Sequence, residues 1–350
     1  MERITAAVLF GGRGEEHAVS CHTAANLLRH TADAGIVALP VAITREGEFR
    51  LCPRDYDPLR LLTDPSAGEG APTFPVRLAG RAGFLTEGGG VLPVDTVLPA
   101  LHGDAGEDGI LQGLLCAAGL PYIGSDTHAG ALCADKAATK RLAADLGIPT
   151  LPFCVLTPGT PPEDIRRQIV ARFGASPYPL FVKPVGLGSS VGTALARDES
   201  DLLAACFAAY RWGDVLVEPY LHPVEEFEVA WLDAPGTCFG PGRIVTTEGF
   251  YDFDKKYVGA GARAEDDPEV TPELRETLFA AARRLIRAAG VRDLCRVDFF
   301  RAGGKLYFNE INTFPGLTET SLYPALLARG GIPFSGFLRH LAALSCARRV

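Results

Sequence analysis

The chain has 350 residues, 47% hydrophobic and 22% charged, with 34 Lys and Arg against 42 Asp and Glu. This length supports two or three packed cores, and the apolar share excludes global disorder. A formal net charge of −8 without a basic run argues against nucleic-acid binding, which needs clustered positive charge, and no apolar stretch has the roughly 18–20 residues a membrane helix requires.

In chain order, Ile4–Phe10 is an apolar run ending in Gly11-Gly12, read as a first strand rather than a signal segment. A helical pattern spans about Ser20–His30, and Ile36–Ile43 is a second strand. Residues 45–90, rich in Gly, Pro and charge, are expected to form loops with short strands. Val94–Leu101 is a further strand and Gly109–Ala118 a helix closed by Gly119; this alternation predicts βαβ units with a parallel sheet. A helix with a break is expected from Asp126 to Leu146, where Gly147 and Pro149 stop it. Pro179–Lys183 reads as a strand, Asp198–Tyr210 as a helix and Val215–Tyr220 as a strand. Thr271-Pro272 is an N-cap with Pro at the first helical position, opening a helix to Gly290. Two strands follow, Cys295–Phe300 and Lys305–Asn312. Domain boundaries are expected near 128 and 215, giving units 1–128, 129–215 and 216–350. The nine cysteines are scattered without a C-x-x-C pair, which suggests reduced cytosolic thiols, mostly buried, rather than a disulfide frame or a zinc site.

The last two strands carry the most chemistry. A three-residue loop, Ala302-Gly303-Gly304, would set Asp298 opposite Phe308 and Arg296 opposite Glu310. Because strand side chains alternate, Arg296, Asp298, Glu310 and Asn312 then share one face. Asp298 and Glu310 become diagonal neighbours about 7–8 Å apart, close enough to share ions. Two carboxylates and an amide oxygen are hard donors suited to Mg²⁺ completed by phosphates. A solvated polar face is the plainer alternative, but the outer residues Val297, Phe299, Leu306 and Phe308 are apolar, which argues against freely exposed strands, and buried acids need counter-charge.

Lys183 closes a strand and precedes Gly186-Leu187-Gly188-Ser189-Ser190-Val191-Gly192, a loop whose backbone can wrap an anion; it matches neither common nucleotide fingerprint. The segment VLFGGRGEEHAVS places Glu15 and Glu16 at a strand end, where an acid could hold an ammonium group. LHGDAGEDG puts His102 at the end of a later strand, as a site candidate or a structural histidine. FYDFDKKY is expected in a loop that could stack on a base or cover a pocket, with an ordinary surface loop as the plainer alternative.

Together VLFGGRGEEHAVS, ALHGDAGEDGILQGLL, GLPYIGS, ADKAATK, FVKPVGLGSSVG, GFYDFDKKY and RVDFF…YFNEINTFPGLTETSLYP resemble the D-alanine–D-alanine ligases of the ATP-grasp superfamily, in order over nearly the whole chain. The resemblance implies an α/β, three-domain ATP-grasp fold with a Rossmann-like N-terminal domain and nucleotide held between the central and C-terminal domains. It implies a cytoplasmic enzyme, often a homodimer, that joins two D-alanines through a D-alanyl phosphate for peptidoglycan synthesis, with ATP as co-substrate and two Mg²⁺ ions, for which Mn²⁺ can substitute.

By the same resemblance Glu16 meets the first substrate's ammonium and closes a triad with Ser189 and Tyr257. Lys136, Lys183 and Lys256 meet nucleotide phosphates, Glu218 and Leu221 the adenine, and Glu226 the ribose, with Glu225 as the alternative. Asp298, Glu310 and Asn312 ligate magnesium, while Arg296 and the Gly316 N–H stabilise the tetrahedral oxyanion. Ser321 and Leu322 receive the second substrate's carboxylate, with His102 nearby. Ala18 and the stretch Pro184–Gly188 depart from the usual pattern. The second substrate is expected to be D-alanine, with D-serine or D-lactate as alternatives; Tyr257 favours an amine. A nucleotide-binding regulator would lack the acids or Arg296, and a dinucleotide oxidoreductase would need G-x-G-x-x-G.

Overall fold

The computed structural model describes residues 3–60, 74–80, 83–103, 106–246 and 262–348. Lys256 and Tyr257 lie outside the described residues.

The chain opens with β1 (Ile4–Gly11), α1 (His17–Thr31), β2 (Ile36–Ile43), β3 (Phe49–Leu51), β4 (Phe74–Leu78), β5 (Phe84–Thr86), β6 (Val91–Leu92), β7 (Thr96–Pro99) and α2 (Ile110–Ala118). These strands form one sheet in the order β6-β5-β4-β3-β2-β1-β7. Only β2-β1-β7 is parallel, and β3 to β6 extend it as antiparallel strands. The expected parallel βαβ arrangement therefore holds only for the three strands β2, β1 and β7. The short strands between 49 and 92 continue the sheet beyond β2 to its β6 edge, with Phe84 buried in the same core as Leu9 and Val41.

Helices α3 (Thr127–Ala134) and α4 (Lys136–Asp145) follow. They are separate because Asp126 and Asp135 each cap a helix, accepting from the Ala129 N–H at 3.0 Å and the Ala138 N–H at 2.8 Å. A four-stranded sheet is then built from β8 (Cys154–Leu156), β9 (Leu180–Pro184), β10 (Ala194–Ala196) and β11 (Val215–Pro219), ordered β10-β9-β11-β8 and antiparallel throughout. Helices α5 (Pro162–Phe173) and α6 (Glu199–Ala209) bury Ile165, Ile169, Leu202 and Cys206 against Val182 and Val217 of this sheet.

A five-stranded antiparallel sheet completes the fold: β12 (Glu225–Leu232), β13 (Thr237–Thr246), β14 (Ala262–Glu265), β15 (Leu294–Ala302) and β16 (Lys305–Asn312), in the order β14-β13-β12-β15-β16. Helix α7 (Pro272–Ala289) precedes β15; Thr271 caps it through the Leu274 N–H, and Gly290 ends it at φ 69°. Its buried residues Leu278, Ala282, Leu285, Ile286 and Ala289 repeat at helical spacing and meet Val229, Val297 and Phe299. Ala129, Cys133 and Ala143 of α3 and α4 share that core, so these helices pack on the five-stranded sheet although they precede the four-stranded one in sequence. Helices α8 (Leu322–Arg329) and α9 (Phe334–Ala347) pack with α1, joining the N-terminal sheet to the C-terminal one through Leu27, Leu317, Tyr323 and Phe337.

The β15–β16 hairpin differs from its expected register. The loop is the two-residue Gly303-Gly304, at φ 55° and 75°, so Ala302 pairs with Lys305. Positive φ at both positions suits a tight turn that follows the sheet's twist. This loop alone would bring Asp298 opposite Asn309, but an extra residue bulges there and sets Asp298 opposite Glu310, with Arg296 opposite Asn312. Loop and bulge together slip the pairing by two residues. Because side chains repeat every two, the expected face is kept while the partners change.

Candidate active site

A cavity of about 260 Å³ lies between the four- and five-stranded sheets. One wall carries Lys183 of β9, Glu218 of β11 and Lys136 at the start of α4; the other carries Glu226 and Glu228 of β12, Arg296 and Asp298 of β15, and Asn309 and Glu310 of β16. Leu221, in the connection between β11 and β12, lines the same cavity. Glu226 faces inward, whereas Glu225 turns to Arg243 at 3.3 Å and Arg301 at 2.9 Å. The alternation along β12 thus selects Glu226.

Glu228, Asp298 and Glu310 sit side by side on three adjacent strands. Like charges directly opposite repel, so the row needs cations. Arg296 supplies the first: Nε and Nη2 each donate to Asp298 at 2.7 Å, and Nε lies 3.3 Å from Glu228. Burial opposes the guanidinium charge, but Asp298 and Glu228 outweigh it and hold Arg296 protonated. Lys136 Nζ lies 3.4 Å from Glu310 and also donates to the Leu187 carbonyl. Asn312 donates to Asp298 at 3.0 Å.

Sequence reasoning missed Glu228, Asn309 and Lys140. Lys183 donates to Asn309 Oδ1 at 3.1 Å and lies 2.7 Å from Glu218, whose other oxygen is 2.9 Å from Lys140. Burial alone would raise the Glu218 carboxyl, but Lys183 and Lys140 hold it below the usual carboxylate range. Glu218, expected beside the adenine, has its carboxylate shared between two lysines, an arrangement the sequence did not signal. Only the bulge, which no composition rule announces, turns Asn309 into the cavity. Glu228 lies two residues beyond Glu226, and strand alternation could have found it.

The donor set fits a magnesium ion. Among the described residues no three His, Cys, Asp or Glu side chains form a metal cage. The opposed carboxylates of Asp298 and Glu310 with the Asn312 amide form an open set, which suits an ion that takes few protein ligands and fills its shell with phosphate and water.

A second cavity, of about 130 Å³, adjoins the first through Gly188, Ser189, Glu228 and Arg296. Glu16, His102, Asn312, Gly316, Ser321 and Leu322 also line it. The Ser189 hydroxyl donates to Glu16. Gly103 and Gly188 leave room for that carboxylate: a Cβ at Gly103 would stand 2.2 Å from Glu16 Oε2 and one at Gly188 3.2 Å away. Ser189 and Ser190 both adopt left-handed backbone, at φ 51° and 58°, which non-glycine residues reach at a cost of about 1–3 kcal/mol each. His102 is fixed on both sides, with Nε2 2.7 Å from Thr23 Oγ1 and Nδ1 3.2 Å from Glu107. Ser321 precedes α8, and its hydroxyl accepts from the Thr318 N–H at 3.1 Å; a Cβ at Gly316 would meet that hydroxyl at 2.9 Å.

Two sheets clamping a cavity, with lysines on one wall and an acid-bearing hairpin on the other, define an ATP-grasp fold. The family model described as D-ala D-ala ligase C-terminus matches residues 142–343, and the one described as D-ala D-ala ligase N-terminus matches residues 5–125. A D-alanine–D-alanine ligase of Bradyrhizobium sp. (strain ORS 278) is 38% identical, covering 99% of this chain and 96% of its own. The crystal structure of D-alanyl-alanine synthetase A from Vibrio cholerae O1 biovar eltor superposes with a TM-score of 0.84 at 30% identity, covering 99% of this chain and 100% of its own. That of the VanG D-Ala:D-Ser ligase from Enterococcus faecalis gives 0.85 at 30% identity, over 98% of this chain and 100% of its own. The chain belongs to the D-alanine–D-alanine ligase family.

Proposed function

We propose that the protein joins two D-alanines into D-alanyl-D-alanine with cleavage of ATP, as a cytoplasmic step supplying peptidoglycan precursors. A carboxylate oxygen of the first D-alanine attacks the γ-phosphorus and ADP departs, leaving an acyl phosphate. The amine of the second D-alanine, having lost a proton, attacks the acyl carbon, and the tetrahedral adduct expels phosphate. No side chain bonds to substrate, so the protein contributes position and charge.

In this reading Lys136 and Lys183 hold the nucleotide's phosphates, Leu221 and Glu218 border its base, and Glu226 meets its ribose. Asp298, Glu310 and Asn312 would hold Mg²⁺, whose charge offsets that of the phosphate oxygens. Glu16, tied to Ser189, receives the first ammonium. Arg296, which reaches both cavities, and the Gly316 N–H take the oxyanion, while Ser321, Leu322 and His102 border the second substrate. By the family resemblance alone, Lys256 is assigned to the transferred phosphate and Tyr257 to the triad with Glu16 and Ser189. Homodimerisation is part of the proposal: α2 presents Ile110 at 65% and Leu114 at 45% exposure on one apolar face.

The observation that carries this reading is the junction of the two cavities at Arg296 and Ser189, where a carboxylate from one can meet a phosphate from the other. A coupled assay of ADP release with D-alanine, D-serine, D-lactate and L-alanine tests it. D-Alanine should give the highest kcat/KM; ADP release independent of any amino acid would overturn the reading. The likeness to a D-Ala:D-Ser ligase supports D-serine as the second candidate.

A further inference from the structure

Lys140 stands behind the cavity wall. Its side chain is fully buried, with Nζ 2.9 Å from Glu218 Oε2, and it does not line the cavity. Its contact with Glu218 is an ion pair without hydrogen-bond alignment. Lys183 approaches the other Glu218 oxygen at 2.7 Å and donates to Asn309 at 3.1 Å, and both Lys183 and Glu218 do line the cavity. An ammonium has three donors, so these two contacts leave Lys183 one N–H for a ligand.

The charge balance gives Lys140 its role. Two ammoniums against one carboxylate leave the cluster one positive charge in excess, and only Lys183 can deliver it to the cavity. Were Lys140 neutral, the single Glu218 carboxylate would cancel Lys183 entirely. A buried ammonium is costly, and an apolar side chain on α4 would pack there without that cost, so the charge itself calls for an explanation.

We propose that Lys140 is a positioning residue for nucleotide binding: it neutralises Glu218 from behind the wall so that the Lys183 charge is free for a polyphosphate. Burial pushes the Lys140 ammonium below its ordinary pKa while Glu218 pulls it back, and Glu218 stays ionised between the two lysines. This inference rests on the reading of the larger cavity as the nucleotide site.

The test is a double-mutant cycle on the full chain, read by calorimetric titration with MgATP. Lys140→Met should weaken ATP binding about tenfold, as expected for losing one uncompensated charge near a phosphate, while the KM for D-alanine stays within about twofold. In the E218Q background the same substitution should change the ATP Kd less than about twofold, because no carboxylate remains to be neutralised. Lys140→Gln stands in, with the same expectation, if Lys140→Met does not fold. Equal losses in both backgrounds, or an unchanged ATP Kd in the single variant, would overturn the proposal. An unmutated chain that binds no ATP would instead remove the nucleotide reading itself.

Discussion

The Ser189 hydroxyl donates to the Glu16 carboxylate across 173 positions of sequence, tying the turn after β9 to the turn after β1. The contact orients an acid already confined by Gly103 and Gly188. Ser189→Ala should raise the KM for the first D-alanine about tenfold, the size of one charge-assisted hydrogen bond, with under about 1 kcal/mol lost in stability. Steady-state kinetics at saturating ATP beside a denaturant titration separates the two effects. An unchanged KM would detach this pair from the substrate.

Asp298 and Glu310 should separate when each is neutralised. Both Asp298→Asn and Glu310→Gln should lower ADP formation by at least about 100-fold, because each removes a formal charge where phosphate and cation meet. Asp298→Asn should also cost roughly 3 kcal/mol, because it leaves the buried Arg296 guanidinium with Glu228 as its remaining carboxylate. Glu310, whose side chain is 19% exposed and whose Lys136 partner is 3.4 Å away, should cost little. Retained turnover in either variant would remove it from the metal and phosphate machinery.

Gly192 holds φ 70°, and a Cβ there would stand 2.5 Å from the Trp212 ring and 2.9 Å from Pro184. Gly192→Ala should therefore lose about 1–3 kcal/mol through backbone strain and overlap together. Equilibrium unfolding in urea measures it; a neutral result would mean that the loop yields and Trp212 does not brace it.

Glu218 gives a pH signature. Its folded pKa is depressed, so the unfolded chain takes up the proton first as pH falls. Its contribution is then full above the unfolded value of about 4.3 and is lost as pH drops through the folded one. Glu218→Gln should be less stable near neutral pH and should show a shallower acid limb when denaturant midpoints are followed from about pH 6 to pH 3. Parallel limbs for both chains would contradict this.

All nine cysteines are free thiols, and burial pushes Cys21, Cys133 and Cys206 up to about 12. Alkylation of the folded protein near pH 8 should mark Cys116 and Cys346, the two exposed ones, well before the buried six. Peptide mapping checks the order; early labelling of Cys133 would show that the core of α3 opens.

Local rules carried much of this far. Alternation along two short strands gathered Arg296, Asp298, Glu310 and Asn312 on one face, and Thr271 and Gly290 marked a helix at both ends. The register of that face was beyond those rules, since a glycine pair can close a hairpin in more than one way and an extra residue can hide as a bulge. Glu225 and Glu226 were likewise interchangeable until pairing with β13 and β15 sent one to Arg243 and the other to the cavity.

By itself the sequence determined the residue types, their order and, away from the bulge at Asn309, the side of each strand on which they stand, because these follow from periods of two and 3.6 along a single chain. Tertiary structure alone decided that Lys140, Glu218, Lys183 and Asn309 form one charge cluster and that Glu16 meets Ser189. Those contacts join segments far apart in the chain, and they exist only once three sheets have closed around shared cores.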